Sequence, residues 1–94
     1  MARFTVRIEL RNVHNRDGYQ QLHEAMKAVG FSRRISRDGK QYQLPTAEYR
    51  MVGKCTRKEV RHLARQGAAA VGFPCSVLVT EGPCSWYNLA ALAD

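Results

Sequence analysis

Three histidines and a surplus of arginines are the residues of this chain best suited to act on another molecule. His14, His23 and His62 each carry an imidazole that titrates near neutral pH and can give or take a proton. Arg7, Arg33 and Arg34 carry guanidinium groups, which hold phosphate oxygens through paired, charge-assisted hydrogen bonds. Together these groups suit cleavage of a phosphodiester without a metal. That reaction needs a base for the 2′-hydroxyl, an acid for the leaving oxygen and a cation for the phosphorane. His23 is the leading candidate because it borders an apolar helical stripe, with Arg7 as the accompanying cation. Spacing alone brings no two of these residues together, and each histidine also reads as a surface or capping residue. Glu9, Asp17, Asp38 and Glu48 are scattered, so a metal-dependent route is not expected.

A second concentration of charge lies on the stretch Cys55 to Gly72. Thr56 followed by Glu59 is a capping box and fixes a helix start. Val60, Leu63, Ala64, Gly67, Ala68 and Val71 recur at three- and four-residue steps and form one apolar stripe, which Gly72 closes. Arg57, Lys58, Arg61, His62, Arg65 and Gln66 fall on the other side. There, like charges repel unless something anionic sits beside them. A solvated face is the plain reading; a phosphate-binding or acidic-partner face is the functional one. The set Arg57, Lys58, Arg61, Arg65, Arg33 and Arg34 is therefore the candidate binding surface.

The whole composition points the same way. Ninety-four residues make one domain, here 1–94 with a tail from about 83 to 94. Fifteen Lys and Arg against eight Asp and Glu give a net charge of +7, which favours a polyanionic partner: RNA, or an acidic protein or nucleoprotein complex. No stretch approaches the roughly eighteen apolar residues of a membrane span, and the amino terminus alternates instead of presenting a signal-peptide core. A cytoplasmic protein with no membrane partner is expected. Cys55, Cys75 and Cys84 are odd in number and widely spaced, so they read as free thiols, and no metal or cofactor is expected.

The elements that must position these residues follow from periodicity. Phe4, Val6, Ile8 and Leu10 alternate with polar residues and predict a half-buried strand. Asp17-Gly18 opens a helix whose stripe is Tyr19, Leu22, Ala25, Met26 and Val29 and which Gly30 ends. Phe31 to Ser36 predicts a second strand, Asp38-Gly39 a tight hairpin, and Glu48 to Val52 a third strand, bent away from Gln41–Leu44 by Pro45. The basic helix, a fourth strand at Cys75 to Thr80 and a tail docked by Trp86 and Leu89 complete the chain. The order is that of a ferredoxin-like βαββαβ sandwich: a four-stranded antiparallel sheet, first and third strands central, with both helices on one face. The other sheet face would stay open, with Thr5, Arg7 and Glu9 and with hairpin residues such as Arg33 or Arg34, Tyr42 and Tyr49. A one-residue slip would reverse the assignments in the second and third strands.

The segments Phe4-Thr-Val-Arg-Ile-Glu-Leu10, Tyr19 to Phe31, Tyr42-Gln-Leu-Pro45 with Glu48-Tyr49, and Ser76-Val-Leu-Val-Thr80 resemble the GhoS-like family. These are small bacterial and phage-borne proteins of ferredoxin-like fold that include the antitoxin of type V toxin-antitoxin pairs. The resemblance spans nearly the whole chain but carries no catalytic signature, and the antitoxin has arginine in the first helix where this chain has His23. It implies an RNA-interacting protein and an endoribonuclease that cleaves the toxin's messenger RNA. A second expectation is a non-catalytic inhibitor from a phage or mobile element, of the anti-CRISPR type, docking on a nucleic-acid-handling host complex. A third is a homodimer formed through the open sheet faces.

Overall fold

The computed structural model describes residues 1–11 and 17–92; His14, one of the three candidate histidines, lies outside the described residues. The elements are β1 (Ala2–Leu10), α1 (Asp17–Ala28), β2 (Arg34–Arg37), β3 (Lys40–Gln43), β4 (Glu48–Gly53), α2 (Arg57–Ala69) and β5 (Cys75–Glu81). The architecture is α+β: a three-stranded antiparallel sheet in the order β4-β1-β5, a two-stranded sheet β2-β3, and two helices. The inward residues of β1, namely Phe4, Val6, Ile8 and Leu10, share one core with Leu22 and Met26 of α1 and Val60, Ala64 and Ala68 of α2. Both helices thus cover the same side of the main sheet. Arg3, Arg7 and Glu9 alternate outward on β1 and are exposed.

The four-stranded sheet expected from the sequence is replaced by these two sheets. Among the described residues only β1 lies between two strands, and β4 ends the hydrogen-bonded order. A single bridge links β4 to the residues before β2: Ser32 N donates to Arg50 O (2.9 Å) and Arg50 N to Ser32 O (2.6 Å). The physical cause lies at Pro45 and Ala47. Proline has no amide to donate, and Ala47 adopts a left-handed φ of 74°, so the return arm of the hairpin divides into β3 and β4. The tail then joins the small sheet through Gln43 N to Ala90 O and Leu92 N to Gln41 O, both 2.9 Å. Trp86 packs at 5.9 Å from the Tyr42 ring, with the Arg37 guanidinium 4.5 Å from its centroid.

Local signals are realised closely. Asp38 (φ 52°) and Gly39 (φ 79°) form a left-handed two-residue loop between Arg37 and Lys40, the geometry that Asp-Gly favours in a hairpin. Thr56 Oγ1 accepts from Glu59 N (3.1 Å) while Glu59 Oε1 accepts from Thr56 N (2.9 Å), completing the capping box. The helix closes at Ala69, and Gly72, expected to end it, takes its positive φ of 79° after a tighter final turn. Gly67 lies where α2 meets α1: a Cβ there would fall 2.6 Å from Met26 Sδ and 3.2 Å from Val29 Cγ2.

Candidate functional site

The first turns of α1 bring His23 to the margin of the core, where its Nδ1 lies 2.6 Å from the hydroxyl of Tyr49. Tyr49 is fully buried on the helix side of β4. This corrects the expectation that it faces outward. The β1–β4 register pairs Tyr49 with Val6 and Arg50 with Thr5, so Tyr49 shares the inward face of Val6. Arg50 is the residue that points the other way, donating through Nη1 to Thr5 Oγ1 and Cys84 Sγ, each at 2.9 Å. It is buried there, only 8% exposed.

His23 opens onto a groove of about 560 Å³ between α1 and the segment from Gly30 to Arg34. Glu24, Lys27, Arg33 and Arg34 line the same groove. Arg33 donates from Nη2 to Leu44 O (3.1 Å), and its buried Nε has no partner among the described residues. Burial, and then the Arg33 charge, push the imidazole below its ordinary pKa of 6.5, so His23 is neutral at neutral pH. Burial also holds the Tyr49 phenol well above its usual range, which keeps the hydroxyl protonated. A protonated phenol can accept from Nδ1–H, which would leave the lone pair on Nε2 of a ring that borders the groove.

The structure separates the two residues first paired for catalysis. Arg7 stands on the outward face of β1, opposite Glu48 and Leu78 in register, while His23 meets the inward face through Tyr49. Strand alternation puts the sheet between them. Arg33 and Arg34, the other cations read from the sequence, are the guanidinium groups beside His23. Arg57, Lys58, Arg61 and Arg65 are all exposed on α2, as expected, together with His62. Arg57 Nε lies 3.7 Å from Glu81 Oε1, an exposed pair that adds little stability. Lys58, Arg61 and Arg65 form no ion pair among the described residues. The α2 cations flank grooves that share no residue with the one at His23.

Sequence reasoning missed Tyr49 as the partner of His23 and Arg50 as a buried cation. The available signal was the alternation of β1, which tells which β4 residues are inward once the register is known. Among the described residues, no three His, Cys, Asp or Glu side chains stand together in a way that would hold a metal ion. The three cysteines are free thiols. Compared with protein-family models, curated proteins and solved structures, the chain matches none.

Proposed function

We propose that this protein interacts with RNA through the His23 groove and cleaves it without a metal, as a GhoS-like endoribonuclease antitoxin acting on a toxin's messenger RNA. The observation that carries the reading is the His23 imidazole, its Nδ1 2.6 Å from the Tyr49 hydroxyl, in a groove that also holds Lys27, Arg33 and Arg34. In the proposed step His23 Nε2 takes the 2′-hydroxyl proton and the 2′-oxygen attacks phosphorus. The bond to the 5′-oxygen breaks, that oxygen takes a proton from water, and a 2′,3′-cyclic phosphate remains. Arg33 and Arg34 meet the charge that develops on the phosphorane. A ferredoxin-like description of the fold belongs to the same proposal. Its support is the β4-β1-β5 order, the helices on one side, and the Ser32–Arg50 bridge, where a fourth strand would continue the sheet.

Labelled RNA incubated with the full chain in the presence of a chelator tests the reading. Cleavage is expected for the wild type and absent for His23→Ala, with RNA binding retained by that variant and weakened in Arg33→Gln/Arg34→Gln. RNA left intact at large protein excess overturns catalysis. A non-catalytic inhibitor docking on a nucleoprotein complex is then favoured, because the exposed cations of α2 form a surface independent of the His23 groove.

A further inference from the structure

β5 is a seven-residue strand at the end of the main sheet, paired on one side only among the described residues. The bonds Gly82 N to Arg3 O and Arg11 N to Pro74 O, both 2.8 Å, set the phase of its antiparallel pairing with β1. In that phase Ser76, Leu78 and Thr80 turn their amides and carbonyls to β1, and Val77 and Val79 turn theirs to the open edge. Natural sheets blunt such an edge with proline, a bulge or a central charge. The run Cys75-Ser-Val-Leu-Val-Thr-Glu81 has none of these before its terminal glutamate. Beside the edge, a groove of about 530 Å³ is lined by Arg57, Lys58 and Arg61 of α2 together with Val77, Leu78 and Val79. On the opposite face of the strand Leu78 is 64% exposed.

We propose that this edge docks an extended segment of a partner protein in which acidic and apolar residues alternate, laid down as a further strand beside β5. Backbone pairing would satisfy the free groups of Val77 and Val79. Strand period then sends every second side chain of the partner toward Arg57, Lys58 and Arg61, where acid fits, and the others past Leu78, where an apolar group fits. A second copy of the chain is disfavoured, because pairing two β5 edges would bring two sets of α2 cations together. RNA is disfavoured because it offers no ladder of alternating donors and acceptors to match a strand edge. The inference does not rest on the RNA reading, whose groove shares no residue with this one.

The test uses the full chain and a fluorescent synthetic peptide of alternating glutamate and valine, long enough to cover Cys75–Glu81. Saturable binding is expected that weakens with salt, with slowed hydrogen exchange at the amides of Val77 and Val79. An alternating lysine-valine peptide should not bind. Arg57→Glu/Arg61→Glu replaces two attractions by two repulsions and should lose about tenfold in affinity. Leu78→Asp should also weaken binding. Circular dichroism and the exchange pattern of β1 verify that both variants are folded. Four outcomes overturn the proposal: no binding, peptide-induced shifts confined to the His23 groove, protection at Val77 and Val79 in the free protein that fades on dilution, or the same protection produced by an RNA oligonucleotide in place of the peptide. The third would identify a second copy as the occupant and the fourth a nucleic acid.

Discussion

The Tyr49 hydroxyl and His23 Nδ1, 26 positions apart in the chain, lie 2.6 Å apart, with their rings edge to face at 5.7 Å between centroids. A fully buried phenol thus orients a half-exposed imidazole. The arrangement holds Nδ1 of His23 against a buried hydroxyl while the ring borders the groove, which is the placement the proposed proton transfer would use.

The depressed pKa of His23 has consequences for both titration and folding. Its imidazole should titrate below 6.5 in NMR spectra, and Arg33→Gln should return the midpoint part of the way, since burial, the larger cause, remains. The unfolded chain binds this proton at the higher pH. Between the two pKa values it therefore carries more protons than the folded one, so stability falls as pH drops below 6.5. Urea midpoints at about pH 5 should lie below those at about pH 7.5, and His23→Gln should reduce the difference.

Tyr49→Phe keeps the ring in the core and removes only its hydroxyl. Leaving the inner nitrogen of His23 without its partner should cost roughly 1–3 kcal/mol in urea unfolding. If RNA is cleaved, the rate should fall with little loss of RNA affinity, because the cations of the groove are untouched. Equal loss of both would show that Tyr49 supports the whole groove and not the imidazole alone.

Gly67→Ala sets two effects against each other. Alanine favours the helix by about 1 kcal/mol, but its Cβ would lie 2.6 Å from Met26 Sδ, with Val29 also close. Overpacking of a tight contact costs about 1–3 kcal/mol, so a lowered melting temperature is expected, and Gly67→Val should lower it further. A raised melting temperature for Gly67→Ala would show that Met26 moves aside freely.

Trp86→Ala should release the tail without unfolding the body. It removes the Arg37 contact, worth about 0.5–1 kcal/mol at an exposed site, and the packing on Tyr42. The amides of Gln43 and Leu92, which bond across this junction, should exchange faster while those of β1 keep their protection. Uniform loss of protection would make the tail part of the main folding unit.

Much of this molecule is written in short-range chemistry. The alternation of Phe4, Val6, Ile8 and Leu10 specifies a half-buried strand, the Thr56–Glu59 box starts α2, and Asp38-Gly39 makes the hairpin loop, because each depends on residues within one or two turns of one another. The exposed cations of α2 were equally legible, since helical period alone places them opposite the apolar stripe. The register of β4 on β1 could not be read that way. It decides that Tyr49 is inward and Arg50 outward, that His23 has a partner, and that Arg7 stands across the sheet from it. Strand partnership is a long-range choice, governed by which whole faces bury together, and a shift of one residue leaves every local preference satisfied while exchanging the faces. The division of the hairpin from the main sheet was tertiary in the same sense: Pro45 announced a break, and only packing determined that Ser32 would bridge the two sheets through Arg50.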